Sequence, residues 1–324
     1  MVRIGIIGVG GMGSFHARTL AALSGVEIAA VADPSIANRT AVGDELGCEA
    51  IADPMELAHR DDLDGMVIAS PDDTHPDLAI AAIQAGSMVL CEKPLAASQT
   101  DAQRVIDAET SLGRRRIQMG FMREYDLAHV QLHERLGAIG TIDYARLIHR
   151  NANRERRPLE QIVVQSLVHE AHSVRFLLGD EVTEVTAFGS GAENDSYRHV
   201  LARVGLAGGG HASLEFDDGG FAYEVSVEVL GRDADALTGP PLRAISRRNG
   251  SIDTHLGTDW FGWFADAYRV QDQAWVASIP AGEATGPSTW DGFAAQVIVD
   301  AIMTSLLERR TIDVSLAERP PLYR

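Results

Sequence analysis

The sequence predicts an α/β chain in two parts: an N-terminal doubly wound parallel sheet, then an α+β domain built on a mostly antiparallel open sheet. Three observations carry this. Short apolar runs alternate with helix-length segments through the first third, and a glycine-rich turn separates the first run from the first helix. From about Gly120 the texture changes to consecutive strand-like runs with short connections. At 324 residues the chain is long enough for two domains, each burying its own core. The expected division is 1–119 and 120–324, with the final helix packing back on the body.

The first strand is the apolar run 2–7, and the runs 26–32, 65–69, 87–90 and 116–119 supply further parallel strands. Between them the stretches 35–46, 75–84 and 99–112 have helical spacing, and right-handed crossovers are expected. In the second part, helical patterns cover 126–136 and 160–178. Strand-like runs follow at 184–188, 199–206, 210–216, 223–230 and 242–246, separated by Gly, Asp and Asn turn signals. Two further helices, 259–276 and 289–309, complete the order; there is no internal repeat and no extended low-complexity segment.

The glycine turn is the most informative local feature. Gly8, Gly10, Gly11, Met12 and Gly13 belong to a Gly-Val-Gly-Gly-Met-Gly turn directly after the first strand, and Asp33 ends the next apolar run. Strand, glycine turn, helix, strand, acid is the recipe of a Rossmann unit holding a dinucleotide. Gly8 permits the tight turn, Gly10 lets the backbone approach a pyrophosphate, Gly13 allows close packing, and the helix start directs free N–H groups at the phosphates. Asp33 can accept hydrogen bonds from the adenosine ribose. A carboxylate there repels the 2'-phosphate of NADP, and Pro34, Ser35 and Ile36 bring no cation, so the reading favours NAD over NADP. The alternative is a plain tight strand-to-helix turn.

A formal net charge of −18 argues against nucleic acid or an anionic membrane surface as partner, and the short basic run at 114–116 does not reverse that. Cys48 and Cys91, far apart in apolar or mixed surroundings, read as buried thiols rather than a staple or a metal clip. Glycines, His16 and Arg18 interrupt the N-terminal apolar stretch, which excludes a signal-peptide reading, and no uninterrupted apolar run reaches membrane-spanning length. A cytoplasmic protein is expected.

Cys91-Glu92-Lys93-Pro94 follows a predicted strand, at the carboxyl edge where doubly wound sheets bind ligands, and a residue before proline is held extended. Glycine turn, Glu-Lys-Pro and the intervening Ser70-Pro71-Asp72-Asp73-Thr74-His75 together resemble the glucose-fructose oxidoreductase / inositol dehydrogenase / MocA family, inositol 2-dehydrogenases in particular. Later landmarks are Gly120-Phe121-Met122-Arg123, His169-Glu170, Arg175 to Gly179, Asp259-Trp260-Phe261, Ala267-Tyr268 and Asp291-Gly292-Phe293-Ala294. The resemblance covers essentially the whole chain.

It implies that Ser70, His75, Glu92 and Lys93 lie along the cofactor, that Lys93 reaches the substrate oxygen and that His169 exchanges the proton. It also implies that Arg123, Asn151 and Asn153 line the substrate side and that the protein forms homodimers or homotetramers. Independently, hydride transfer from a secondary alcohol needs a base titrating near neutrality and a cation for the developing alkoxide, which histidine and lysine supply. The alternatives are a surface Lys93 paired with Glu92 and a core histidine.

The chain departs from the family where two aspartates flank the histidine: Gln165 stands four residues before it and His172 three after. Gln165, one helical turn from His169, can hydrogen-bond a substrate hydroxyl but cannot carry charge, so the pKa of His169 should fall. His172 either extends the pocket or caps a polar edge of the helix. Trp263 stands where the family commonly has an arginine, as core packing or as an apolar surface for a glycoside. His169-Glu170-Ala171-His172 has the wrong spacing for a zinc-protease pattern, so no metal is expected.

The leading expectation is an NAD-dependent dehydrogenase oxidising a secondary hydroxyl of a cyclic polyol or pyranose to a ketone, reversibly. The alternatives are a ketosugar oxidoreductase acting on an amino sugar, nucleotide sugar or glycoside, and a non-catalytic NAD-binding regulator.

Overall fold

Six parallel strands form the first sheet: β1 (Val2–Ile7), β2 (Val26–Ala32), β3 (Glu49–Ile51), β4 (Gly65–Ile68), β5 (Met88–Cys91) and β6 (Ile117–Met119), in the order β3-β2-β1-β4-β5-β6. The computed structural model describes residues 1–152, 157–190, 196–239, 245–248, 251–254 and 259–324. Between these strands run α1 (Gly11–Ala21), α2 (Ile36–Leu46), α3 (Pro54–Ala58), α4 (His75–Ala85) and α5 (Gln99–Leu112). Strands β4 and β5 are buried at every position, which is why they read as unbroken apolar runs rather than alternating ones. The short β3 and α3 did not stand out in the sequence.

Register is what assembles the loops of this unit. Ile51, Ala32, Ile7, Ile68, Cys91 and Met119 pair in one row across all six strands. The next residue of each strand therefore opens a loop at the same edge: Asp33, Gly8, Ala69, Glu92 and Gly120 stand side by side there. The order reverses between β1 and β4, the crevice at which such sheets take ligands.

The chain divides into two compact units. One comprises Met1–Met122, Tyr268–Gln296 and Leu316–Arg324, and the other Arg123–Ala267 and Val297–Ser315. Two C-terminal segments thus group with the parallel sheet. Within that unit, the fully buried Trp275 closes on Gly65, where a Cβ would come within 2.9 Å of its ring. Glu109, also fully buried, accepts hydrogen bonds from Arg116 N (2.5 Å), Ile117 N (2.7 Å), Thr289 Oγ1 (2.6 Å) and Tyr323 Oη (2.8 Å). One carboxylate thus ties the start of β6 to the C-terminal tail.

The second unit contains α6 (Leu127–Leu136), β7 (Ile142–Arg150), β8 (Arg157–Pro158), α7 (Leu159–Ile162), a π-helical turn (Val163–Leu167) and α8 (Val168–Leu178). It continues with β9 (Val182–Ser190), β10 (Ser196–Tyr197), β11 (His199–Leu206), β12 (His211–Asp217), β13 (Glu224–Gly231), β14 (Asp235–Leu237), β15 (Ile245–Arg248) and β16 (Ser251–Thr254). Helices α9 (Trp260–Ser278) and α10 (Thr289–Glu308) and the short β17 (Ile312–Asp313) end the order. Seven strands pair as β14-β13-β7-β12-β11-β9-β17, all antiparallel except β7 with β12.

Strand β7, in the interior of the sheet between β13 and β12, is absent from the sequence expectation. Its inward face carries Ala145, Leu147 and His149 while Ile148 points the other way, so the apolar alternation is blurred. The expected single helix 160–178 is interrupted by the π turn. Of the expected strand 242–246, residues 242–244 lie outside the described residues. Helix α10 is long and apolar enough to cross a membrane by composition, but 72% of its most apolar window is buried in the protein, as in a core helix. Cys91 is fully buried and Cys48 only partly, and both are free thiols.

Replacing Glu109 with Gln would turn one of its two acceptor oxygens into an NH2 donor facing two of the four donors. We expect a loss of about 1–3 kcal/mol in urea unfolding, with a matching fall in midpoint.

Candidate active site

The glycine turn has the geometry its residue types require. Gly8 has φ +78°, and a Cβ there would stand 2.6 Å from Ala69 O, so β1 and β4 come together only over a glycine. At Gly13 a Cβ would overlap the Gly8 carbonyl, which seats α1 against the turn. Gly10 and Gly11 are exposed, and a Cβ on either would meet nothing within 4 Å. Helix α1 begins here with no capping side chain and no acid in its first turn, with the partly buried Met12 at its second position. Its first N–H groups therefore lie at an open surface that a phosphate can approach.

Asp33 is nearly buried and tightly held. Oδ2 accepts from Val9 N (3.0 Å) and from Asn38 Nδ2 (3.4 Å), and Oδ1 accepts from Ser35 N (2.8 Å). Arg39, unnoticed in the sequence, donates to the carbonyls of Asp33 (3.2 Å) and Pro34 (2.9 Å), so the cation nearest the acid is engaged with main chain. A helix start bare of side chains, a glycine-lined approach and a fixed carboxylate on the neighbouring strand are the donor and acceptor set of a dinucleotide, and these residues fit one.

Ser70 and His75 act on the loops themselves. Ser70 Oγ lies 2.6 Å from Thr74 Oγ1, and the buried His75 spans two loops, with Nδ1 2.7 Å from Pro94 O and Nε2 2.9 Å from Ser70 O. Glu92 also turns inward. Its Oε1 lies 3.0 Å from His16 Nε2, and its Oε2 accepts from Lys93 N at 3.3 Å. The side chains of His75 and Glu92 thus brace the turn, since a buried polar group takes the partner that the chain provides. The Lys93–Pro94 peptide bond is cis. Of the 28 lysine and arginine residues in the chain, Lys93 is the single lysine.

In the second unit, α8 carries His169 and His172 on its first turns. His169 is 7% exposed. The adjoining Glu170 is fully buried and forms an ion pair with Arg123, whose Nη2 donates to His149 Nδ1 at 3.3 Å. Burial would raise the pKa of Glu170, and the charge of Arg123 with help from His149 overturns that, holding it at about 2. His149 goes the other way: burial pushes it below its ordinary value despite Glu170, so the ring is neutral. Arg123 is only 2% exposed; a buried guanidinium needs a buried anion, and it braces the residue beside His169.

The remaining expected substrate residues separate. His172 is 2% exposed, with Nε2 2.8 Å from Glu124 Oε1 and its ring stacked on Phe176. Asn151 Nδ2 donates to Asp218 Oδ1 at 3.2 Å, and Arg157 completes that cluster, donating from Nε to Asp218 Oδ2 at 2.6 Å. Asn153 lies outside the described residues. Gln165 is exposed on the π turn, where a wider repeat than 3.6 residues shifts its direction relative to His169. Trp263 is partly buried, edge-on to Tyr223 at 5.5 Å. Among the described residues, no group of three or more His, Cys, Asp or Glu is arranged to hold a metal ion.

Residues that the sequence reading missed are His16, Asp272, Arg39, Glu124, His149, Arg157 and Asp218. Most act by pairing with a group distant in sequence, His16 and Asp272 by 256 positions, which no local pattern reports. One sequence signal was available: a lone lysine among arginines marks a place where a compact, deprotonatable ammonium differs from a guanidinium.

Comparison with known proteins agrees with this geometry. Residues 2–121 match the model of the oxidoreductase family's NAD-binding Rossmann fold, and residues 130–314 that of the same family's C-terminal alpha/beta domain. Inositol 2-dehydrogenase 1 of Saccharopolyspora erythraea is 36% identical over 99% of both chains. Inositol 2-dehydrogenase of Rubrobacter xylanophilus is 36% identical over 100% of this chain and 96% of its own. The crystal structure of myo-inositol dehydrogenase from Lactobacillus casei in complex with NAD(H) and myo-inositol superposes with a TM-score of 0.95, at 27% identity and full coverage of both chains.

Replacing Glu170 with Gln strands the Arg123 charge, and we expect a loss of about 3–5 kcal/mol at pH 7. A carboxylate whose pKa is lowered by folding contributes stability above its unfolded value, near 4.5, and loses it as pH falls through about 2. Urea unfolding of both proteins from pH 7 to pH 2 should show the gap narrowing across that window.

Proposed function

We propose, since the chain belongs to the Gfo/Idh/MocA oxidoreductase family, that it is an NAD-dependent dehydrogenase converting one secondary hydroxyl of an inositol or related cyclic polyol to a ketone. The observation that carries this reading is Lys93: the one lysine of the chain, at the carboxyl edge of the sheet and one residue beyond Glu92, which stands in the same row as Gly8 and Asp33. Where charge alone suffices, this chain uses arginine. At Lys93 it keeps the side chain whose point charge suits a single oxygen.

NAD supplies the acceptor for the hydride that leaves the carbinol carbon. The first turn of α1 holds the pyrophosphate, and Asp33 accepts from the ribose hydroxyls. Lys93 holds the substrate oxygen and stabilises its developing negative charge, while His169 removes the hydroxyl proton. Arg123 and Glu170 fix the start of α8 and thereby the base. Gln165 and Asn151 are the nearest candidates for the remaining substrate hydroxyls, and Asn153 belongs to the same proposal by sequence. A carboxylate at position 33 favours NAD over NADP.

The reading extends to a cytoplasmic enzyme of two or four copies. The face we assign to a second copy is the second sheet, on which Phe188 of β9 and Leu237 of β14 are exposed. The comparisons favour neither the ketosugar oxidoreductase nor the regulator.

The test is NADH formation from NAD across inositols, free hexoses, amino sugars and glycosides. Turnover of an inositol is expected; turnover of none in either direction would refute the reading. Lys93→Ala should lower kcat/KM by about 10³-fold or more while NAD binding is kept. Asp33→Ser should raise the NADP-to-NAD ratio of kcat/KM by about 10-fold or more, read from steady-state rates.

A further inference from the structure

Three buried ionisable side chains of the first unit form a line that the proposed chemistry leaves unused. His16, on the second turn of α1, has no exposed surface. Its Nδ1 lies 3.0 Å from both oxygens of Asp272 on α9, and its Nε2 lies 3.0 Å from Glu92 Oε1. The other oxygen of Glu92 accepts from Lys93 N. A ring with a carboxylate at each nitrogen satisfies both contacts only when both nitrogens carry a proton. Burial would lower the pKa of such a ring, and Asp272 and Glu92 reverse that, raising it to about 10. The pKa of Glu92 is likewise lowered against its own burial, by His16.

The surroundings leave this line little freedom. The Tyr268 ring stands edge-on to His16 at 5.9 Å, and a Cβ at Gly120 would come within 2.9 Å of the Glu92 carboxyl carbon. Apolar side chains in the same space would hold the fold at least as well as a buried cation between two anions. They would have no direction to impose on the turn that carries Lys93.

We propose that His16 and Asp272 are positioning residues for Lys93. Asp272 orients His16, His16 fixes one oxygen of Glu92, and the other oxygen holds the main chain of Lys93. The inference rests on Lys93 as the group that meets the substrate oxygen.

Asp272→Asn and His16→Gln should lower kcat by about 10-fold or more with KM for the polyol and NADH affinity changed less than about threefold. Asp272→Glu, which keeps the charge, should recover part of the loss. In a Lys93→Arg background, Asp272→Asn should cost little more, because its effect passes through Lys93. A second readout needs no substrate: as the single lysine, Lys93 can be followed by mass spectrometry during acylation with an N-hydroxysuccinimide ester. Its rate should change by about threefold or more in the variants, as half a pKa unit or a moved amine would give. If the wild type oxidises no polyol, the functional reading fails while the labelling still decides the positioning role. Should Asp272→Asn fail to fold, Glu92→Gln carries the same tests. Folded variants with unchanged kcat and labelling, or losses that multiply in the Lys93→Arg background, would overturn the proposal.

Discussion

A charge removed from water must have its counter-charge within reach, and in this protein that constraint fixes the residues beside both proposed acid–base groups. Lys93 follows Glu92, whose carboxylate is held by His16. His169 precedes Glu170, whose carboxylate is held by Arg123. In each unit a buried glutamate is pinned by a buried cation from another element, and the reactive side chain is its neighbour in sequence. Pinning the glutamate restricts the backbone of the adjoining residue and so helps to orient its side chain.

The two pairs are not alike electrically. His16 stands between two carboxylates, so that site is net negative and keeps the ring protonated well past neutrality. Around Glu170 there is one carboxylate, one guanidinium and a neutral His149, so the site is balanced. The surplus negative charge of the first site thus lies beside Lys93, whereas the second adds no net charge beside His169.

The cofactor end obeys a steric constraint instead. Gly8 and Gly13 are required by close approach of main chain to main chain, whereas Gly10 and Gly11 have open space around them. The first two make the turn possible, and the second two leave the helix start bare. Asp33 joins them through the pairing of Ile7 with Ala32, which sets the acid beside the turn.

The sequence by itself determined the parallel sheet, the glycine turn with its acid, and the Glu-Lys-Pro and His-Glu pairs, because each is written in local order and spacing. It missed β7, whose apolar alternation is blurred by Ile148 outside and His149 within, and it missed the π turn, which has no period of its own to read. It offered Arg123 as a substrate-side donor and His172 as either a pocket residue or a polar cap, without their buried partners. Only the tertiary structure decided that these side chains, with Glu92 and His75, turn inward, and that Asp272 meets His16 across 256 positions. The physical reason is that the partner of a buried charge is chosen by packing in three dimensions, while periodicity reports only which face of an element is apolar.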